Sequence, residues 1–338
     1  MDRTILHCDC NSFFASVETA LNPAYKGVPM AVCGSQEDRH GIVLAKNEEA
    51  KKFGIQTAET VFSAKKKCPQ LVIAAPHYDE YERYSKMVNA IYADYTDRVE
   101  PFGIDESWLD VTASRRIFGS GEEIAELIRR RVKEEIGITV SIGVSFNKVF
   151  AKLASDYKKP DAITVISKDN FKQIVYPLPA SDLLYVGRRT AEELLRIGVR
   201  TIGELAETSK DMLKHKFGKM GEMLSDYANG LDTAPVGLDN DHEVKSIGNG
   251  FTFKHDLTHR EECRVGLNFL CEEIGAKLRA KHLKCNTVAI SIKDTRLKTI
   301  QRQRPLKNAS DISKEISALA YEILCDEWCE SIPIRMLT

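Results

Sequence analysis

The chain has 338 residues, 43% hydrophobic and 29% charged, with a formal net charge of -1, values of a soluble globular protein rather than a disordered or fibrous one. No apolar run approaches the roughly 20 residues that span a bilayer. The start, MDRTILHCDCNSFF, is charged at once and unlike a secretory signal, so a cytoplasmic location is expected.

At roughly 150 residues per domain, this length calls for two domains or more. The first part alternates strand and helix signals: TILHCDC, a helix from Ser12, PMAVC, GIVLA, a short helix near 47–53, and LVIAA. Tyr81, Tyr84, Val88, Ile91 and Tyr95 recur at spacings of three and four and predict a helix over 78–96. A strand through Val99, an acidic turn at 103–106, the strand SWLDV, a helix over 121–136 and the strand ITVSIGVS follow. The pattern is α+β or mixed α/β. Residues 168–230 read as short helices broken by Gly187, Gly198, Gly203, Gly218 and Gly221. The stretch LDTAPVGLDNDHEV, 231–244, reads as an exposed tether.

Beyond the tether, the expected order is strand 246–253, helix 260–281, strand 287–293, strand 299–304, helix 310–325 and a final strand IPIRMLT. That is β-α-β-β-α-β, the split βαβ topology. Leu267, Leu270, Cys271, Ile274 and Leu278 line one helix, and Ile312, Ile316, Leu319 and Ile323 the other. Both helices are expected to cover one sheet face. Arg302 and Arg304 alternate with Gln301 and Gln303, which predicts a polar, partly basic opposite face. From Lys277 to Lys307 ten Lys and Arg residues stand against Asp294 alone. So basic a stripe in a chain of near-zero net charge points to a nucleic-acid partner.

The nine cysteines include no CxxC pair and no common zinc spacing, so reduced packing thiols are expected. Three acids carry more. Asp105 and Glu106 are neighbours in GIDESWLD, at the entry to a core strand, and Asp9 sits in the apolar opening strand. Ionised carboxylates in a poorly solvated place repel unless something positive compensates them. If Asp9 and Asp105 meet on neighbouring strands with Glu106 alongside, the all-oxygen set suits Mg²⁺. Two such ions serve an in-line phosphoryl displacement.

HCDCNSFFASVE, GIDESWLDVT, NKVFAKLASDYKKPD, FGKMGEMLSDYANGLD and KSIGNGFTF occur in this order, and with them the chain resembles the Y-family DNA polymerases, within them the DNA polymerase IV group. The resemblance runs from residue 4 to the end. It implies a right-hand α+β architecture: a ferredoxin-like palm at 1–10 and 76–166, small fingers at 11–75, a helical thumb at 167–231, a linker at 232–244 and a little finger domain at 245–338. The implied activity is low-fidelity translesion DNA synthesis without proofreading, on primer-template DNA and dNTP, with two Mg²⁺ ions and no membrane. The implied protein is a monomer that meets a sliding clamp through a tail this chain does not contain, so that it is expected to be cut short after IPIRMLT.

Carried over by motif, Asp9, Asp105 and Glu106 are the catalytic metal-binding acids, with the Cys10 carbonyl as a further metal ligand. Phe14 takes the place of the steric gate that excludes a ribose 2′-hydroxyl. Phe13, by its side, falls in the nucleotide-pocket segment and reads as core. Lys159 is expected on the incoming triphosphate, as a point charge. DLLYVGRRTAEELLRIGVRTIGEL resembles a helix-hairpin-helix, with Gly187, Arg188 and Arg189 toward a DNA phosphate. Lys293, Arg302 and Arg304 are the expected DNA contacts of the last domain.

Two departures stand out. Tyr185 replaces the first hairpin glycine. In KNEEAKKFG, Glu48 and Lys51 stand where the family has Tyr and Arg on the triphosphate, and Lys lacks the planar fork of Arg. A Glu48–Lys51 pair at i,i+3 would hold the carboxylate away from the phosphates. These departures support a second reading, a non-catalytic DNA-binding paralogue occupying primer ends. A palm-type nucleotide cyclase is a third, but would not need the basic last domain. Primer extension separates the three.

Overall fold

The protein is described by a computed structural model covering residues 3–35, 41–237 and 244–338. Two compact units divide it, one built mainly from the first 241 residues and the other from His242–Thr338 together with Cys33–Val43 and Ala58–Ser63. Among the described residues no helix is long and apolar enough to cross a membrane. All nine cysteines are free thiols, as expected.

In chain order the protein opens with β1 (Ile5–Cys10), α1 (Phe13–Leu21), β2 (Met30–Cys33), β3 (Val43–Lys46), α2 (Glu48–Lys51), α3 (Val61–Lys67) and β4 (Val72–Ala74). There follow α4 (Tyr78–Ala93), β5 (Val99–Pro101), β6 (Glu106–Asp110), α5 (Arg115–Phe118), α6 (Gly121–Arg131), β7 (Val140–Ser145), α7 (Lys148–Tyr157) and β8 (Ile163–Ile166). The sequence pattern anticipates most of these, while α3, α5, α7 and β8 are additions to it.

The main sheet has the order β5-β6-β1-β7-β8, and β2, β3 and β4 form a small second sheet. β1 is antiparallel to both neighbours and buried along its whole length. One face packs Leu6, Cys8 and Cys10 against Tyr81, Tyr92 and Ile128 of α4 and α6. On the other side Ile5 and Trp108 meet Ala151 of α7. That approach requires a glycine, since a Cβ at Gly143 of β7 would lie 1.9 Å from the Ala151 carbonyl oxygen. The five residues that predicted the 78–96 helix are all buried.

Five short helices follow: α8 (Phe171–Val175), α9 (Arg188–Arg196), α10 (Ile202–Glu207), α11 (Lys210–Phe217) and α12 (Lys219–Ala228). Gly203 and Gly221, read as breaks, lie inside α10 and α12 instead. Their role is close packing: a Cβ at Gly221 would sit 2.0 Å from the Leu213 carbonyl oxygen of α11. Residues 231–237 are mostly exposed, as expected of a tether, but they are pinned to the first unit rather than loose. Val236 is buried beside Ile5 and Trp108, the Gly237 N–H donates to Glu100 at 2.7 Å, and Arg3 donates to the Ala234 carbonyl at 2.8 Å. Residues 238–243 of that stretch lie outside the described residues.

The second unit carries β9 (Phe251–Leu257), α13 (Arg260–Ala280), β10 (Cys285–Asp294), β11 (Thr299–Ser310), α14 (Ser313–Glu327) and β12 (Ile334–Leu337). Its sheet order is β11-β10-β12-β9, so each βαβ crossover skips one strand, the split topology expected. β9 begins later than the expected 246–253 strand, after Gly248 and Gly250. β11 runs on to Ser310, which delays α14 and leaves Ile312 exposed ahead of it. The remaining apolar positions of α13 and α14 face the sheet as expected.

Register corrects the reading of the basic strand. Arg302 pairs with Ile290 and Arg304 with Val288, both buried under the helices, and directly opposed residues of an antiparallel pair share a face. The arginines therefore stand on the helix side. Arg302 meets Glu327 at 3.0 Å and Arg304 meets Asp326 at 2.6 Å, both at the end of α14. Gln301, Gln303, Ser291 and Lys293 share the uncovered face. Alternation alone told the two faces apart without telling which one the helices cover.

Candidate active site

β1 and β6 pair so that Asp9 stands opposite Glu106, and the Cys10 N–H donates to the Asp105 carbonyl at 3.0 Å. The three acids thus gather at one end of the main sheet. Glu106, rather than Asp105, is the cross-strand partner of Asp9. Asp105 lies in the bend just before β6, and its carboxyl opens on a cavity of about 540 Å³ that Asp9, Phe14, Glu48, Lys51 and Lys159 also line. Cys10 and Phe13 border the same space.

Lysines from α7 and the segment after it meet these acids. Lys159 Nζ lies 2.6 Å from Asp9 and 2.7 Å from Asp156. Lys152 pairs with Glu106. Burial pushes the Asp9 carboxyl up to about 6, and the nearby Glu106 adds to the shift while Lys159 resists it. Burial and then Glu106 also raise Asp105. For Glu106 burial acts upward, but His7 and Lys152 outweigh it and hold the group down to about 2. His7 is itself lowered to about 4 by burial. It therefore meets Glu106, 3.2 Å from its Nε2, as a neutral ring rather than as an ion-pair partner.

Asn11, missed in the sequence, ties this end of the sheet together. Its Nδ2 donates to Ser141 at 2.8 Å, and its Oδ1 accepts from Thr139 at 3.0 Å and from the Asp161 N–H at 2.8 Å. The segment carrying Lys159 is thereby fastened to the end of β1. Asn47 caps α2 by accepting from the Ala50 N–H at 3.0 Å, and donates to the Val28 carbonyl at 2.8 Å. Both are Asn residues at the end of a strand, the only signal the sequence offers for them.

On α2 the anticipated pair is present: Lys51 donates to Glu48 Oε1 at 2.6 Å. Ser12, in the left-handed region at φ 47°, donates to the same oxygen at 3.1 Å. Phe14 stacks on Tyr81 with ring centroids 4.1 Å apart and planes 10° from parallel. Phe13 is core, at 3% exposure. Asp110 opposes Ile5 at the far end of the β1–β6 pair and accepts from the Thr112 N–H at 3.0 Å, a structural role.

Gly187, Arg188 and Arg189 line no part of the cavity. Gly187 precedes α9, and the exposed Arg188 reaches Glu192 at 3.0 Å. Tyr185 takes φ 69°, so the backbone keeps the left-handed turn a glycine would give. Lys293, Arg302 and Arg304 belong to the second unit.

Among the described residues no three metal-ligating side chains stand together as a ready-made cluster, since Asp9 is turned to Lys159 and Glu106 to Lys152. The donor set still fits a hard divalent cation. It is all oxygen, and burial raises the carboxyls of Asp9 and Asp105, a cost that a bound cation would offset.

Comparison with known proteins shows the family. Residues 8–156 match the impB/mucB/samB family, 244–338 its C-terminal domain, and 181–232 a model described as the DNA polymerase-iota thumb domain. The chain is 51% identical to DNA polymerase IV of Acetivibrio thermocellus, over 100% of its own length and 85% of that protein. It is 40% identical to DNA polymerase IV of Moorella thermoacetica, covering 99% and 84%. With DNA polymerase IV 1 of Bacillus subtilis it shares 38%, covering 99% and 80%. Among solved structures a Y-family DNA polymerase chimera superposes with a TM-score of 0.88 at 23% identity, covering 99% of this chain and 97% of that one.

Proposed function

The chain belongs to the Y-family DNA polymerases, within the DNA polymerase IV group, and is a DNA-directed DNA polymerase of the translesion type; from that premise we propose that Asp9, Asp105 and Glu106 carry its nucleotide addition. The observation that supports this reading is the strand register that sets Asp9 opposite Glu106 and next to Asp105, with Asp9 and Asp105 lining a cavity that also presents Phe14 and Lys159.

Asp9, Asp105, Glu106 and the Cys10 carbonyl would hold two Mg²⁺ ions. When bound, the ions activate a primer hydroxyl and stabilise the leaving pyrophosphate oxygens. The protein's part is positional. Phe14 carries the sugar on its ring. Lys159, held between Asp9 and Asp156 in this structure, would supply a point charge to the triphosphate. Lys51 does the same when Glu48 releases it. Low fidelity and the lack of proofreading belong to this reading.

The hand is divided into a palm at 1–10 and 76–166, fingers at 11–75, a thumb at 167–231 and a little finger at 245–338. A core of its own around Leu267 and Ile290 supports the little finger; Phe13 and Val17 pack with Leu6 and Tyr81, and Phe150 and Ile166 with Leu213, so the other boundaries cut through shared cores and rest on family likeness. DNA contacts are assigned to the Gly187 backbone, Arg188, Arg189 and Lys293, with Arg302 and Arg304 engaging once they leave Asp326 and Glu327. That the protein is a cytoplasmic monomer that meets a sliding clamp rests on family likeness.

Primer extension with Mg²⁺ and all four dNTPs, by the native chain and by Asp9→Ala, tests the assignment. Extension by the native chain, lost with EDTA and lost in the variant, is expected. Undiminished extension by Asp9→Ala would place the metal site elsewhere.

A further inference from the structure

α1 carries Phe14 and, one turn further on, Glu18, whose carboxylate is 3% exposed and takes no part in the chemistry above. Between them sits Tyr81 of α4, fully buried. Its ring is the one stacked on Phe14, and its hydroxyl donates to Glu18 Oε1 at 2.5 Å. Residues four apart on a helix share a face, so α1 grips Tyr81 at both ends. His77, just ahead of α4, brings Nδ1 to 3.0 and 3.1 Å from the two Glu18 oxygens. Tyr78 of the same turn meets Phe14 edge-on, with centroids 6.1 Å apart.

A carboxylate buried among aromatic rings is costly unless donors satisfy it, and a leucine would fill this space without that cost. What leucine lacks is an acceptor. A hydrogen bond to the hydroxyl fixes the plane of the Tyr81 ring, and that plane is the support on which Phe14 lies. Displacements of about 1 Å in such a support are enough to change reactivity by orders of magnitude.

We propose that Glu18 is a positioning residue for sugar discrimination, which through the Tyr81 hydroxyl and His77 holds Phe14 where it refuses a ribose 2′-hydroxyl. The proposal rests on the reading of Phe14 as the gate.

The test is single-nucleotide insertion by the full chain, with kcat and KM measured for a matched dNTP and rNTP in the native protein and in Glu18→Leu, Glu18→Gln, Tyr81→Phe and Phe14→Ala. Glu18→Leu should raise rNTP kcat/KM about tenfold, about 1.4 kcal/mol of discrimination, while dNTP insertion changes by less than about threefold. Glu18→Gln, which keeps an acceptor, should retain most of the native discrimination. Tyr81→Phe should reproduce the leucine effect, and the double variant Glu18→Leu/Tyr81→Phe should add nothing, because the two changes remove one bond. A merely structural Glu18 would lower both substrates together and leave their ratio native, which would overturn the proposal. Should Glu18→Leu fail to fold, Tyr81→Phe decides by the same ratio. Phe14→Ala separates the two layers: if it fails to admit rNTP, the gate reading falls and the proposal with it. If it admits rNTP while the Glu18 and Tyr81 variants stay selective, only the proposal falls.

Discussion

At the end of β1 and β6 three carboxyls crowd together and lysines come to them; on β11 two arginines stand close together and carboxylates from α14 come to them. The first cluster is largely withdrawn from water, with Asp9 and Lys159 side chains 11% and 31% exposed. In the second the exposures of Arg302 and Arg304 are 53% and 39%. In the first, burial drives the Asp9 carboxyl up, while against the same burial His7 and Lys152 hold Glu106 down, so the two move in opposite directions. Exposed pairs are weak and exchange readily. On the reading proposed above, both clusters trade a protein partner for a ligand, a lysine for a metal ion in one and a carboxylate for a phosphate in the other. The difference lies in what each trade is worth.

Removal of the lysine sharpens this contrast most. Lys159→Met should lower kcat/KM for the incoming nucleotide by about 100-fold, about 2.7 kcal/mol. Arg302→Met should weaken primer-template binding by less than about threefold, or about 0.7 kcal/mol. Steady-state insertion and fluorescence anisotropy measure the two, and equal losses would break the comparison.

Glu48 and Lys51 lie between these extremes, at 44% and 42% exposure. Glu48→Tyr should lower the KM for nucleotide by about fivefold, about 1 kcal/mol, by removing repulsion and releasing Lys51 and Ser12. Adding Lys51→Arg should give a further gain. An unchanged or higher KM in single-nucleotide insertion would mean that Glu48 lies off the phosphate path.

A smaller effect concerns stability without metal. The folded pKa of Asp105 is raised above its unfolded value, so between the two the folded state binds more protons, and ionisation above that window costs folding free energy. Asp105→Asn should therefore raise the melting temperature in EDTA by about 2 °C at pH 8. The gain should disappear toward pH 4. The same gain at both pH values would contradict the burial argument.

The smallest effect is on salt dependence. Removing one cation that neutralises a DNA phosphate flattens the log-log slope of binding by about 0.9. Lys293→Glu, on the uncovered face, should show that change more fully than Arg302→Glu, whose charge is already shared with Glu327. The reverse order would put the DNA on the helix side of the sheet.

The legibility of the sequence follows the same divide. Asp9, Asp105 and Glu106 drew notice as acids in apolar strand segments, and Phe14 and Lys159 only through motifs the chain shares with its family; the structure sets Asp9, Asp105, Phe14 and Lys159 around one cavity. The Glu48–Lys51 pair was readable from helical spacing alone. The side of the sheet taken by Arg302 was not, because a period of two defines faces and only the register against Val288 and Ile290 says which face the helices cover. Asn11 and Glu18 escaped for a related reason. Their partners lie 128 to 150 and 59 to 63 residues away. No window of sequence places such groups together. The two glycines misread as helix breaks show the limit of composition, since a close approach between helices calls for the same residue as a turn.

The central claim is that the acids serve nucleotide addition and not DNA binding, and Asp105→Ala with Glu106→Ala tests it most directly. Insertion of a single dNTP with Mg²⁺ and binding of the same primer-template are measured side by side. Loss of insertion by about 1,000-fold or more, about 4 kcal/mol, with native DNA affinity is the expected result. Insertion that survives, or DNA binding lost in equal measure, would contradict the assignment.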